Sequence, residues 1–327
     1  MIKAKKNFLV TGCAGFIGFH FSLKLISKGH SVYGIDNMNK YYDVELKKKR
    51  LSILKSKKQK FKFFKNDIND AKLKEIFLKN KFEKVFHFAA QAGVRYSFEN
   101  PQAYYKSNIE GLKNLIFLSK KYKIKHFVFA SSSSVYGDSK RFPVTENFST
   151  RNQRSLYAST KKNGEIMLHT CSELDKRPVT CLRFFTVYGP YGRPDMALFK
   201  FVKNILNNKN IEIFNNGKHQ RDFTYIDDVV KMSYFASKEY PKGKIPFSIF
   251  NICGSKPRKL TTFIEIIEDL LNIKAKKRML PFQKGDVLKT YGSNKKILRK
   301  IRFTPTPLEK GISEFIKWYK KFYDKKI

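Results

Sequence analysis

The chain has 327 residues, of which 42% are hydrophobic, so it can build a large α/β unit with a smaller lobe, and global disorder is excluded. Its 67 basic and 27 acidic residues give a formal net charge of +40. The excess is almost all lysine spread along the chain, whereas nucleic-acid binders concentrate arginine on one face, so we expect no nucleic-acid partner.

The apolar runs are all short. None approaches the ~18 residues of a membrane-spanning helix, and the basic N-terminus lacks the apolar core of a signal peptide. The four cysteines (Cys13, Cys171, Cys181 and Cys253) form no CxxC pair. We therefore expect a cytoplasmic protein with reduced thiols, no membrane association and no metal.

Apolar runs alternate with amphipathic stretches, which is typical of βαβ units and a parallel sheet. The sequence predicts strands at about 7–11, 31–36, 61–66, 84–90, 126–131 and 179–185. It predicts helices at about 15–28, 44–58, 101–122 and 155–174. After Tyr188 the motif GPYGRP breaks this rhythm, and DFTYIDD returns the chain to the first unit. The apolar residues of PLEKGISEFIKWYKKFY recur at helical spacing and predict a packing helix at the end.

The segment TGCAGFIG places three glycines between the first predicted strand and helix. Gly12 permits the tight turn, Gly15 lets the backbone approach a pyrophosphate, and Gly18 lets helix and strand pack closely. The backbone N–H groups of Phe16 and Ile17 would face the anion at the helix N-terminus. This arrangement predicts a dinucleotide site.

Two carboxylates follow the next strands. Asp36, eighteen residues after Gly18, can accept hydrogen bonds from a ribose diol and would repel a 2′-phosphate, which favours NAD over NADP. Asp67, after the third strand, has two equally weighted interpretations. It either binds the adenine edge or caps the following helix.

The segment LYASTKKNGE places Tyr157 and Lys161 four residues apart, on one face of a predicted helix. A free phenol has a pKa near ~10 and is a poor base at neutral pH. An adjacent ammonium and a cationic cofactor would lower that value. Upstream, FASSSSVYG ends the fifth strand with serines at 131–134, one of which can hold or relay the reacting oxygen. The pattern predicts hydride transfer with Tyr157 as the proton acceptor.

Several segments together resemble the extended short-chain dehydrogenases/reductases, and within them the UDP-glucuronate 4-epimerases. They are TGCAGFIG, DNMNKYYD, HFAAQAGVRYSFENP, ASSSSVYG, LYASTKK, RFFTVYGPYGRPDMALFKF, RDFTYIDD and LPFQKGDV, which run across nearly the whole chain. The resemblance implies a Rossmann-like doubly wound parallel sheet with a smaller C-terminal α/β lobe. It assigns 1–186 to NAD binding, with 222–240 and about 247–253 returning there, and 187–221 and 254–327 to the UDP-sugar lobe.

The resemblance also implies site residues, position by position. The catalytic set is Ser132, Tyr157 and Lys161. The NAD contacts are Gly12, Gly15, Phe16, Ile17, Gly18, Asp36, Asn37, Asp67, Ile68, Ala89, Gln91, Tyr157 and Lys161. The UDP-sugar contacts are Arg95, Ser132, Ser133, Ser134, Thr186, Arg193, Ala197, Phe214, Arg221 and Asp286.

The resemblance further implies the reaction. Relatives that dehydrate or decarboxylate a sugar carry an acidic residue in the serine loop, and this loop has none. We therefore expect reversible hydride transfer at C4 through a transient 4-keto sugar, with NAD tightly bound. Arg193 suits a carboxylated sugar, because a guanidinium pairs with a carboxylate through two hydrogen bonds. The expected reaction is conversion of UDP-glucuronate to UDP-galacturonate for polysaccharide biosynthesis.

Alternatives remain at this stage. Within the same class, the substrate would be UDP-galactose or UDP-N-acetylglucosamine, which would leave Arg193 without a carboxylate partner. In a different class, the chain would be a non-catalytic Rossmann protein that binds a nucleotide or nucleic acid. The family also implies a homodimer formed by the helices near 101–122 and 155–174, whose apolar stripe includes Ile109, Leu112, Ile116 and Leu118. Alternatively, that stripe packs on the chain's own sheet.

Overall fold

A computed structural model describes residues 6–283, 285–302 and 304–323. Its strands in chain order are β1 (Asn7–Thr11), β2 (Ser31–Ile35), β3 (Phe61–Phe64), β4 (Lys84–His87), β5 (His126–Ser132), β6 (Val179–Phe184), β7 (Thr186–Tyr188), β8 (Ile211–Phe214), β9 (Gln220–Arg221), β10 (Phe223–Tyr225), β11 (Phe247–Ile252), β12 (Arg258–Lys259) and β13 (Lys277–Leu280). Seven of them form one parallel sheet in the order β11-β6-β5-β4-β1-β2-β3. This sheet confirms the predicted Rossmann-like α/β class.

The described helices are α1 (Phe16–Ser27), α2 (Val44–Lys55), α3 (Leu73–Asn80), α4 (Tyr96–Glu99), α5 (Pro101–Tyr104), α6 (Gly111–Lys121), α7 (Leu156–Asp175), α8 (Ala197–Leu206), α9 (Ile226–Lys238), α10 (Leu260–Leu271), α11 (Lys295–Leu298) and α12 (Leu308–Tyr323). Short 3₁₀ turns occupy Lys58–Lys60, Ser133–Tyr136 and Asn215–Gly217, and Tyr105–Glu110 is π-helical. None of these helices is long and apolar enough to cross a membrane.

The sheet is covered on both faces, as its continuously apolar strands require. One core contains Phe21 and Leu25 of α1 and Val229 of α9. The opposite core contains Leu115 of α6 and Leu168 of α7. A third core, formed by α8, α10, α12 and β8, belongs to the smaller lobe.

After the first part of the smaller lobe, the chain returns to the main sheet as β11, the edge strand opposite β3. β11 pairs with β6 along its whole length, and α9 contacts α1 on the neighbouring face. These contacts support the proposed return of 222–240 and 247–253 to the first domain. β10 differs from the main-sheet strands, because it pairs with β7 in a separate two-stranded sheet.

The predicted helix at 101–122 is confirmed in its extent, but it is not α-helical throughout. The structure has α5, then a π-helical segment, Tyr105–Glu110, and then α6. In that segment the buried Asn108 side chain bonds the main chain of Gln91 and the hydroxyl of Thr160. A π-helical turn shifts the face that a helix presents, and regular 3.6-residue spacing does not reveal it.

β3 is one edge of the sheet, and its surroundings are basic. The side chains of Lys60, Lys62 and Lys65 are exposed there, while Phe61 between them is buried. Lysines on an edge strand are a common device against pairing with another sheet.

Candidate active site

A cleft of about 920 Å³ opens at the carboxyl ends of β1, β2, β4, β5 and β6. In open α/β sheets this edge is where ligands bind. Its lining also includes residues of the smaller lobe, among them Arg193, Ala197 and Phe214. The cleft therefore joins the predicted NAD site to the predicted sugar site.

The glycine loop leaves no room for larger side chains. Gly12 has a φ of +69°, and a Cβ on it would lie 2.7 Å from the backbone nitrogen of Ala89. A Cβ on Gly18 would lie 2.2 Å from the carbonyl oxygen of Gly12. Helix α1 begins at Phe16 directly after Gly15, so its first amides face the cleft without an acidic neighbour in the first turn. The loop fits a pyrophosphate.

Asp36 directly follows β2 and lines the cleft, at the strand end where a carboxylate can bind the ribose of a dinucleotide. Its carboxylate accepts the backbone N–H groups of Ala14 at 3.1 Å and Met38 at 2.9 Å. Burial raises the pKa of Asp36 above its ordinary value, although these hydrogen bonds and Lys47 act against the rise. The carboxylate keeps lone pairs that can accept further hydrogen bonds from a diol.

Asp67 lies in the loop after β3, where its side chain accepts hydrogen bonds, and it also lines the cleft. It accepts the backbone N–H of Asn69 at 3.0 Å and the side-chain amide of Asn37 at 2.8 Å. Burial acts to raise its pKa, but these hydrogen bonds hold the pKa below the usual value. The capping interpretation of Asp67 is wrong, because α3 has Lys72 at its N-cap, and the side chain of Asp67 bonds the loop before that helix. The adenine-binding interpretation stays a prediction. Ile68 beside it lines the same cleft.

The segment after β4 is tied to its neighbours at two points. The N–H of Ala89 donates to the Thr11 hydroxyl at 3.2 Å, and the N–H of Gln91 donates to the side-chain oxygen of Asn108 at 2.8 Å. Sequence reasoning missed Asn108. One signal was available, because Asn108 is a polar residue on the buried face that Tyr104 and Leu112 define by helical spacing.

Lys161 is buried at the base of the site. Its ammonium donates to the carbonyl of Ala130 at 2.8 Å and lies 5.0 Å from the ring centre of Phe129. Burial lowers the pKa of Lys161 to about 7. The ammonium thus turns towards the end of β5, which places its charge beneath the cleft.

Tyr157 lies one helical turn before Lys161, on a helix capped by the Ser155 hydroxyl. Burial raises the pKa of the Tyr157 phenol, while its hydrogen bond with Ser132 and the charge of Arg193 lower it. The expectation that Lys161 supplies the neighbouring charge is therefore incomplete. Arg193 contributes because the loop after β7 brings it into the same cleft.

The four serines divide into two groups. Ser131 donates to the buried carboxylate of Glu165 at 2.6 Å, which itself pairs with Arg183 through two contacts of 2.8 Å. The Ser132 hydroxyl instead accepts the N–H of Ser134 at 3.2 Å and donates to the Ser134 hydroxyl at 3.1 Å, and it acts to lower the pKa of Tyr157. Ser132, with Ser133 and Ser134 behind it, is therefore the serine available for chemistry.

Charged and aromatic groups line the far end of the cleft. The Arg95 guanidinium lies 4.2 Å from the ring centre of Phe214, and Asp286 lies 3.6 Å from Arg221 and 3.9 Å from Arg95. Such a mixture of rings, cations and an acid suits a nucleoside diphosphate. Thr186 and Ala197 line the passage between this end and Tyr157.

The structure brings other residues into the cleft that sequence reasoning missed. Asp195 forms a two-contact ion pair with Arg193, and Tyr41 donates to Asp195. The buried imidazole of His219 lies 4.0 Å from Asp286. The motif GRPD held a signal for Asp195, since an acid two residues from an arginine can fold back onto it.

The fold and cleft define a dinucleotide-dependent enzyme of the Rossmann type. The sequence profile of the NAD dependent epimerase/dehydratase family matches residues 8–253, and the chain belongs to this family. This family and a structural neighbour crystallised with NAD confirm the predicted cofactor and enzymatic class, and the glycine loop has the close packing that such a cofactor requires. The contact of Asp36 with NAD stays a prediction.

Named relatives resemble almost the whole chain. It is 42% identical to a probable UDP-glucuronate 4-epimerase of Rhizobium meliloti, over 97% of this chain and 98% of that protein. It is 43% identical to UDP-glucuronate 4-epimerase 1 of Arabidopsis thaliana, over 96% of this chain and 77% of that protein. A crystal structure of UDP-glucuronic acid 4-epimerase from Bacillus cereus, in complex with UDP-glucuronic acid and NAD, matches with a TM-score of 0.91 at 32% identity, over 97% of this chain and 100% of that chain.

The glycine loop gives a first testable prediction. Gly18→Ala should reduce the NAD content of the purified protein to a small fraction of the wild-type content, because the new Cβ would displace the Gly12 carbonyl. Gly29→Ala is the control, since its Cβ meets no atom within 4 Å and its φ of +86° strains only the turn after α1. Cofactor released by denaturation and quantified by chromatography gives the content. Full NAD occupancy in Gly18→Ala would contradict the close approach.

Proposed function

We propose that this chain is a cytoplasmic UDP-glucuronate 4-epimerase, which interconverts UDP-glucuronate and UDP-galacturonate with tightly bound NAD. The observation that carries the proposal is Arg193, whose guanidinium lies in the cleft beside Tyr157 and the serine loop. Its Nη1 has no acceptor among the described residues, so one edge of the guanidinium is available to a carboxylate. The names of the relatives support this substrate, and the four free cysteines support a reducing compartment.

The residues of the chain divide the chemistry between them. Tyr157 removes the proton from the C4 hydroxyl and later returns it, while Ser132 holds the reacting oxygen. Lys161 is buried with its amino group on the Ala130 carbonyl, and its pKa of about 7 lets it supply a positive charge or take up a proton at neutral pH. NAD held at the glycine loop would supply the acceptor for the C4 hydride, and its positive charge would favour the ionised form of Tyr157. No acid stands in the serine loop for a further elimination step.

One sequence argument for the uronate is wrong. A sugar with a neutral C6 group would not leave Arg193 without a carboxylate, because Asp195 already pairs with it. The proposal therefore rests on the remaining donor edge of Arg193. UDP-galactose and UDP-N-acetylglucosamine, which offer that edge no charge, stay the alternative substrates within the same reaction.

Tyr157→Phe tests the chemistry. Turnover should fall by at least ~10²–10⁴-fold, the usual contribution of a general acid–base group, because only the proton-accepting oxygen is lost. NAD content and UDP-sugar affinity should stay close to wild type, since the ring keeps its volume. Tyr33→Phe, a partly buried tyrosine on β2, is the control. A variant that kept a rate within a factor of ~10 of wild type would show that another group accepts the proton.

Arg193→Ala tests the choice of substrate. The affinity for UDP-glucuronate should fall about tenfold more than the affinity for UDP-glucose, because a charge-assisted hydrogen bond is lost only with the uronate. Calorimetric titration of both nucleotide sugars measures the two changes. Arg141→Ala, at an exposed position, is the control. Equal weakening of both sugars would make Arg193 a diphosphate ligand.

We further propose a homodimer formed by α6 and α7. The stripe expected to form its interface is wrong in part, since Leu112, Ile116 and Leu118 are buried in the chain's own core. An amphipathic helix covers its own sheet first. Other apolar side chains on these helices remain outside, with Phe117 61% and Ile166 51% exposed.

Phe117→Asp tests this interface. The charged side chain should convert a dimer into a monomer at micromolar concentration, because desolvating it against an apolar face is unfavourable. Leu78→Asp on α3, at a side chain that is also 61% exposed, should leave the assembly unchanged. Sedimentation velocity distinguishes the two states. A monomeric wild-type protein would rule out the dimer.

A further inference from the structure

Asp195 holds Arg193 from one side only. Its two oxygens accept from the Nε and Nη2 of Arg193 at 3.0 and 2.5 Å. Burial acts to raise the pKa of Asp195, but the charge of Arg193 and its hydrogen bonds hold that pKa below the usual value. Asp195 is therefore an ionised, permanent partner at neutral pH. Such two-contact pairs fix the plane of a guanidinium as well as its position.

Tyr41 holds Asp195 in turn. Its hydroxyl donates to Oδ2 of Asp195 at 3.2 Å, and its ring lies 4.9 Å from that of Tyr96. Burial, followed by the charge of Asp195, raises the pKa of Tyr41 to about 12, so the phenol remains a donor at all physiological pH values. Tyr41 belongs to the loop after β2, whereas Asp195 belongs to the segment before α8. The chain of contacts thus joins the two sides of the cleft.

The guanidinium has two edges that can each bind a carboxylate. Asp195 occupies the edge formed by Nε and Nη2, and the edge formed by Nη1 and Nη2 has no second acceptor among the described residues. A flexible arginine that the substrate alone had to order would bind that substrate more weakly, because its rotamer freedom would be lost on binding. A guanidinium already held by Asp195 avoids this loss.

We propose that Asp195 and Tyr41 are positioning residues, which orient Arg193 so that its remaining edge meets the C6 carboxylate of the sugar. This inference rests on the proposed function, because only a uronate places a carboxylate there. Neither residue touches the reacting C4 atom in this arrangement. Their contribution is to substrate selection, and it passes through Arg193 alone.

The test is a double-mutant cycle between Asp195→Ala and Arg193→Ala, with Tyr41→Phe beside it. Asp195→Ala should raise KM for UDP-glucuronate about tenfold, and Tyr41→Phe should raise it less, because it removes one neutral donor. The affinity for UDP-glucose and the NAD content should remain near wild type. In the Arg193→Ala background, Asp195→Ala should cause no further change in uronate affinity. Asp269→Ala, an exposed carboxylate on α10, is the control.

Each outcome decides the matter. Tighter binding of UDP-glucuronate by Asp195→Ala would make Asp195 a competitor of the substrate and overturn the inference. Equal loss for both sugars, or additive effects in the cycle, would also overturn it. If Asp195→Ala does not fold, the selectivity of Tyr41→Phe decides. If the wild-type protein epimerises UDP-glucuronate and the variants keep their selectivity, only the positioning role is refuted. If the wild-type protein is inactive on UDP-glucuronate, the proposed function is refuted.

Discussion

The geometry of the proposed catalytic groups depends on one buried ion pair. Glu165 of α7 and Arg183 of β6 are both almost fully enclosed, and Ser131 of β5 completes the carboxylate's partners. Glu165 lies one turn after Lys161, and Ser131 directly precedes Ser132. A buried charge is costly without its partner, so this pair holds the helix and the two strands in one arrangement. Tyr157 and Ser132 line the same cleft on elements that this buried pair joins.

The site then works through opposed electrostatic effects. Burial favours the neutral forms of both Tyr157 and Lys161, raising the pKa of one and lowering that of the other. The positive charge of Arg193 and the hydrogen bond from Ser132 act against the first of these effects. Burial prevails, so the pKa of the phenol is above its ordinary value, and its ionisation requires a further positive charge such as that of a bound cationic cofactor.

The sheet, the glycine loop and the tyrosine–lysine pair were predictable because each follows from a local pattern with a fixed spacing. Gly18 and Asp36 could be assigned from their distance along the chain. Asn108 and Asp195 were missed, because each left only a weaker signal in the sequence. Asn108 acts through a π-helical turn, which leaves regular periodicity unchanged on either side. Asp195 acts through an irregular loop, where neighbours in sequence need not be neighbours in space, and its bond to Tyr41 spans two separate segments.

The basic edge at β3 carries a consequence for the chain in crowded solution. β3 pairs with β2 on one side only, and the open side of an edge strand is a template for pairing with another chain. The exposed side chains of Lys60, Lys62 and Lys65 repel the same lysines on another copy of the chain that approaches this edge. That repulsion weakens as salt shortens the Debye length, to about 8 Å at physiological ionic strength. Part of the +40 net charge thus opposes association between copies of the chain. The ionic strength of the solution, rather than a binding partner, sets how strongly it does so.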